Sequence, residues 1–179
     1  IAVTATKDVL EKIAEFPEVD KVLPNEKRQL NPVQKSTNTD IKVNNDDSIE
    51  WNVERVGAPE AWEQGYDGTG TVVGIIDSGV EWDHPALKEK YFGYNAETGE
   101  VDHQYSFFDA YGVQNEPYDD NGHGTHVAGT ILGSEPDGSN KIGVAPGAKW
   151  IAAKAFASDG YGSDVEIMLA MEWMLAPGG

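Results

Sequence analysis

Thr71-Val72-Val73-Gly74-Ile75-Ile76-Asp77-Ser78-Gly79 is the stretch from which the fold can be read. Apolar and β-branched residues fill consecutive positions from Thr71 to Ile76 rather than alternate ones. That is the pattern of a strand covered on both faces, and such strands belong to parallel sheets. Asp77 follows directly, and in open parallel sheets ligands bind outside the carboxyl ends of the strands. Its carboxylate is therefore expected at a functional rim. Ser78-Gly79 then turns the chain, glycine tolerating backbone angles that a side chain resists. Taken alone, Asp77 could also serve as an Asx-type turn at a strand end.

Working outward, the stretch from His123 to Leu132 is rich in small residues and suits a closely packed helix, and Ala148 to Phe156 is a second candidate buried strand. Ser163 and Glu166 form a capping-box pattern opening a further helix, with Ile167, Ala170, Met171 and Met174 at helical spacing and Pro177-Gly178-Gly179 ending it. Upstream, Pro59 near the start and Gly65 past the end frame a helical turn around Ala58, Ala61 and Trp62. The order β, α, β, α predicts an α/β fold: a partial parallel sheet with right-handed crossovers and helices on both faces. Two central strands are evident, and the sequence stops where the next is expected. An open edge of that kind invites aggregation, so the chain is expected to be part of a longer protein.

Residues 1–30 read as a small α+β unit. Thr6 can cap a helix from Lys7 to Phe16, with Val9, Leu10 and Ile13 on one face and Pro17 as a stop, and Val19, Val22 and Leu23 alternate loosely as in a strand. From Asn31 to Asp47 the chain is mostly Asn, Asp, Lys, Ser and Thr, the composition of a linker or exposed loop. The expected organisation is a first unit over 1–30, a linker over 31–49 and a main unit over 50–179.

Composition narrows the function. Thirty-one acidic against thirteen basic residues give a formal charge of -18, which repels nucleic acids and anionic membranes, so neither is expected as a partner. No apolar run approaches the ~18 residues of a membrane span, since Lys154 interrupts the stretch from Trp150 to Ala157. Cysteine is absent, excluding disulfides and thiolate metal sites. The opening Ile1-Ala2-Val3-Thr4 has none of the features of a signal peptide.

His123 and His126 stand three apart, near one face of a helix. A zinc site would want a further ligand in reach and more usually a spacing of four. A structural role is the common fate of a lone histidine. The glycines on either side of His123, however, remove bulk beside the imidazole, which suits close approach of a substrate backbone. His123 is therefore the candidate general base, and His126 the expected buried structural partner. The Asp-Ser-Gly tripeptide also occurs in aspartic proteases, but no second Asp-Thr/Ser-Gly is present and helices alternate with strands.

Four blocks in order now carry a resemblance: Ile76-Asp77-Ser78-Gly79-Val80, His84-Pro85, His123-Gly124-Thr125-His126-Val127-Ala128-Gly129 and Gly143-Val144-Ala145-Pro146-Gly147-Ala148. Together they resemble the subtilisin-like serine proteases over roughly residues 50–179. Residues 81–90, 133–138 and Ala176-Pro177 narrow the resemblance to one branch of that family. It implies an endopeptidase acting on protein or peptide substrates, with Asp77 orienting and supporting the imidazolium and His123 relaying the proton of a serine. It implies that Gly160, Tyr161 and Gly162 belong to the substrate-binding segment, pairing with an extended peptide as an added strand. Residues 1–30 are similar to the end of the inhibitory pro-segment, a partner of its own enzyme, with Ile1 to Phe16 as a strand and helix, Val19 to Glu26 as a further strand and a cleavage point in the polar stretch after Lys27. Secretion is implied as well. The family's Gly-Thr-Ser-Met-Ala block with the nucleophile, and its oxyanion Asn segment, do not occur here. The chain by itself is thus expected to be inactive.

No cofactor is needed for that chemistry, and no metal ligand is assigned. Calcium enters as an ion of the family, whose strong site often uses an Asp two residues after the His of His-Pro, where this chain has Ala86. The acidic stretches Glu81 to Asp83 and Asp119-Asp120-Asn121 could hold a cation, although solvated charge is the plainer reading. A non-catalytic alternative also fits: a peptide-binding module, or a pro-segment acting as inhibitor and folding template for a slowly folding parallel sheet.

Overall fold

The structure, a computed structural model, describes residues 1–32 and 49–178. Its elements in chain order are α1 (Lys7–Ala14), β1 (Lys27–Gln29), α2 (Trp51–Arg55), α3 (Ala58–Glu63), β2 (Val72–Asp77), a 3-10 turn (Lys88–Lys90), β3 (Phe107–Asp109), α4 (His123–Leu132), β4 (Lys149–Lys154), β5 (Tyr161–Ser163) and α5 (Asp164–Leu175). The expected linker lies almost entirely outside the described residues.

β2, β4 and β3 form a parallel sheet in that order, with Asp77 and Asp109 both in register with Lys154. The mixed α/β architecture expected from the sequence is the one found. Adjacent residues on each strand serve opposite faces, which is why apolar residues run consecutively. Ile75, Phe107 and Ala152 pack with Val80, Leu87, Tyr91, Trp150 and the α4 residues Ala128 and Leu132. Ile76, Phe108 and Ala153 face the other way, toward Phe156 and the α5 residues Ile167, Ala170, Trp173 and Met174. Helices thus cover both faces. Trp150 anchors the first cluster: it is fully buried, its indole N–H donates to the Leu87 carbonyl at 3.0 Å, and its ring lies 4.6 Å from that of Tyr91.

Several local expectations need correction. β2 is buried only toward its carboxyl end, with Val72 48% exposed, because among the described residues it has a strand neighbour on one side only. β3 went unforeseen, since three residues carry no readable periodicity. α1 ends two residues short of Phe16, buries no residue, and donates no first-turn N–H to the Thr6 side chain. Neither residues 1–6 ahead of α1 nor Val19 to Glu26 form a strand. The strand is β1, whose sequence Lys-Arg-Gln is wholly exposed and polar. It exists because β5 offers an antiparallel partner, pairing Lys27 with Ser163, Arg28 with Gly162 and Gln29 with Tyr161. At the start of α5 the Glu166 carboxylate accepts the Ser163 N–H at 2.8 Å and its hydroxyl as well, as the capping pattern suggested. No described helix is long and apolar enough to cross a membrane.

Replacing Trp150 by Ala should lower stability by about 3–5 kcal/mol, because it removes a large buried ring and leaves a cavity. Chemical denaturation monitored by circular dichroism checks this, and a loss below about 1 kcal/mol would contradict the packing described.

Candidate active site

Asp77 ends β2 at the rim of the sheet and is 6% exposed. Its backbone carbonyl accepts the N–H groups of Ala155 and Phe156 at 2.8 and 3.2 Å, which fixes it against the chain leaving β4. One carboxylate oxygen accepts the N–H of Ser78 at 2.7 Å. The carboxylate also meets His123, forty-six residues away, whose Nδ1 lies 2.7 Å from Oδ1 and 2.9 Å from Oδ2. A carboxylate accepts, so in this pairing Nδ1 is the donor, and in the neutral imidazole that leaves the lone pair on Nε2. The imidazole retains 17% exposure.

Backbone contact brings the two residues together. Gly122, at φ +91°, caps α4 and starts His123 into the helix. A methyl group at Gly124 would run into the carbonyl oxygen of Gly79, and one at Gly79 into that of Tyr118. The glycines beside the two motifs thus allow the helix end and the strand end to touch.

Asp119 ties this contact in place, and sequence reasoning did not single it out for that role. Its Oδ1 accepts the Ser78 hydroxyl at 2.8 Å and the N–H groups of Gly122 and Asn121 at 2.8 and 3.2 Å, and its Oδ2 accepts the N–H and hydroxyl of Thr125 at 2.8 and 2.6 Å. The Ser78 hydroxyl in turn accepts the N–H of Gly124 at 3.0 Å. Burial alone would raise the Asp119 carboxyl, but the donors from Thr125, Gly122 and Ser78 outweigh it and hold the group below the ordinary carboxylate range.

Lys154 was also missed. Its ammonium is 2% exposed at the end of the central strand and donates to the Ser78 carbonyl at 2.6 Å, Asp120 Oδ1 at 2.6 Å and the Phe156 carbonyl at 3.0 Å. It lies 4.8 Å from the centre of the Tyr118 ring. Burial, and then the carboxylate of Asp109 that accepts its hydroxyl at 3.1 Å, push the Tyr118 phenol well above its ordinary value, so it stays a donor.

The other nominated residues line an edge beside the pair. Tyr161 and Gly162 are in β5 and Gly160 precedes it, the two glycines buried and Tyr161 exposed. A methyl group on Gly160 would come 3.6 Å from the Asn121 amide nitrogen, two residues before His123. The loop is braced by the Tyr111 hydroxyl, which donates to the carbonyls of Ala155 at 3.1 Å and Tyr161 at 3.3 Å. Burial, followed by Glu166 and Asp159, raises that phenol to about 12. Residues 27–30 occupy the edge, and the Leu30 N–H donates to the Gly160 carbonyl at 2.9 Å.

His126 is not the buried partner expected. It is exposed, because α4 buries Gly124, Ala128 and Leu132, a row four residues apart that leaves position 126 on another side. Asp119 is committed to its five donors and Asp120 to Lys154, Ala86 offers no side-chain oxygen, and among the described residues no three His, Asp or Glu side chains gather as metal ligands.

Comparison with known proteins adds relatives to this geometry. Residues 68–178 match the Subtilase family of peptidases. Bacillopeptidase F of Bacillus subtilis (strain 168) is 59% identical over 99% of this chain and 13% of its own length. Minor extracellular protease Epr of the same organism is 31% identical over 98% of the chain and 25% of its own length. Subtilisin BL of Lederbergia lenta is 36% identical over 70% of the chain and 40% of its own length. The chain thus spans well under half the length of each. The parallel sheet, the match across 68–178 and these protease relatives lead to one assignment: the chain belongs to the subtilase family.

Proposed function

We propose that this chain carries the aspartate and histidine of a serine endopeptidase's proton relay. The observation that supports it most is the double contact of His123 Nδ1 with both oxygens of Asp77, beside a strand edge filled by an extended peptide. In this reading Asp77 fixes the tautomer and orientation of His123 and stabilises the imidazolium. His123 Nε2 takes the proton of a serine hydroxyl and returns it to the leaving amine. The nucleophile and the oxyanion donor come from outside residues 1–179, so the chain alone hydrolyses no peptide bond. Gly160, Tyr161 and Gly162 present backbone groups to the substrate. The full protein is a secreted enzyme with protein substrates, and residues 1–30 are the end of its pro-segment.

A second role for residues 1–30 is favoured by the β1 pairing. A strand seated on the edge that receives substrate is an inhibitor in place, so the enzyme is made as a zymogen.

In the full-length protein, His123→Ala and Asp77→Asn should each lower kcat on a protein substrate by about 10⁴-fold or more, the scale established for such relays in subtilisin, the family's namesake. Unchanged far-ultraviolet circular dichroism should accompany the loss, and near-normal kcat in either variant would refute the relay.

Asp119→Asn should cost about 2 kcal/mol of stability at neutral pH, since it removes the charge that five donors address. Because the folded carboxyl titrates below its ordinary value, its stabilisation is fully present above about pH 4 and is lost as the pH falls through the lower folded value. The stability gap between wild type and variant, followed by denaturant titration, should therefore close on acidification. A gap independent of pH would argue against the charge as its origin.

A further inference from the structure

The strand that fills the β5 edge reveals how that edge treats side chains. Most of the contact is backbone. The Leu30 N–H reaches Gly160, Arg28 and Gln29 stand opposite Gly162 and Tyr161, and beyond β5 the first turn of α5 takes over. There the Asp164 N–H donates to the Glu26 carbonyl at 3.0 Å and the Val165 N–H to Asn25 Oδ1 at 3.1 Å. Such pairing gives affinity with little regard to sequence, and selection falls to side-chain contacts.

Among the described residues, Arg28 makes the two-pronged side-chain contact across this edge. Its Nε donates to Asp164 Oδ1 at 2.7 Å and its Nη2 to Oδ2 at 3.2 Å. A planar guanidinium presents this fork to a carboxylate, whereas a lysine ammonium offers a single point charge. Lys27, by contrast, only approaches the Tyr161 ring, at 6.0 Å. The Asp164 carboxyl is held below its ordinary range, chiefly by the hydrogen bond from Arg28. Glu26 also lies 3.0 Å from Arg28, but it belongs to the inserted strand and leaves with it. Asp164 belongs to the receiving edge, at the first position of a twelve-residue helix.

Resting on the reading of β5 as a peptide-binding edge, we propose that Asp164 determines specificity there. It selects extended peptides with arginine at the residue facing Gly162, two before the residue that bonds Gly160. Lysine is accepted less well, and neutral or acidic residues least.

Two readouts test this. In the present chain, hydrogen exchange at the Leu30 amide reports release of the strand. Arg28→Gln and Asp164→Asn should each speed it about fivefold, the size of an exposed but two-pronged ion pair, while Arg28→Lys falls between and the swap Arg28→Asp with Asp164→Arg restores protection. Unchanged exchange in Asp164→Asn would overturn the assignment. In the full-length protease, peptides continuing the sequence Asn-Glu-Lys-X-Gln-Leu should be cut about fivefold better in kcat/KM with X as Arg than as Gln, mostly through KM. That preference should vanish in Asp164→Asn and turn toward Glu in Asp164→Arg. Equal cleavage of the Arg and Gln peptides by the wild type would refute the selection. Cleavage of no peptide would instead sink the protease reading, and amide exchange would still decide the role of Asp164.

Discussion

Lys154 stands at the end of the central strand, opposite Asp77 on one neighbour and Asp109 on the other, and its ammonium is almost wholly removed from water. Burying a charge costs several kcal/mol unless it is well satisfied. All three of its protons are used, on Ser78, Asp120 and Phe156. Those acceptors lie on three segments that meet at the rim: the turn after β2, the loop before α4 and the chain leaving β4. The cost of the buried charge is offset only when all three are in place, so the rim assembles as a unit. Ser78 follows Asp77 directly and Asp120 lies three residues before His123, so the same condition bears on the two segments that carry the pair.

Asp119 extends the constraint from backbone to imidazole. It fastens Ser78, the residue after Asp77, to Gly122 and Thr125, which flank His123. A short hydrogen bond between a strand end and a helix end would otherwise need the two elements to be held by packing alone. Here the first turn of α4 and the turn after β2 share one carboxylate and one hydroxyl, and the glycines at 79 and 124 let their backbones meet.

Much of this was legible in the sequence, for identifiable reasons. A run of apolar and β-branched positions from Thr71 to Ile76 ending in an acid announced both a parallel strand and a rim carboxylate, and the glycines around His123 drew attention to its imidazole. The supporting groups were harder to see. Asp119 is one of thirty-one acidic residues, and nothing local marks it as the one that gathers five donors. Lys154 did leave a trace, since a lysine inside an apolar strand must either be exposed or have partners. Read as a break in a hydrophobic run, it revealed only half its meaning. His126 was misjudged because two histidines three apart look alike in sequence, although the buried row of α4 runs through 124, 128 and 132. β1 could not have been found from its own residues, because Lys-Arg-Gln becomes a strand only when a distant edge supplies its partner.

That two-stranded pairing joins distant parts of one chain, and connectivity changes its thermodynamics. A tethered strand returns to its edge from an effective concentration on the order of millimolar, whatever the dilution of the protein. On the proposed reading of β5 as a peptide-binding edge, a free peptide at micromolar concentration would face a rival that is always present and never diffuses away. Severing the connection between the strand and the sheet would leave every contact of β1 with β5 unaltered and yet reverse the contest, because the released segment would then be diluted like any other solute. The edge would be opened by covalent chemistry at a distance, through entropy alone.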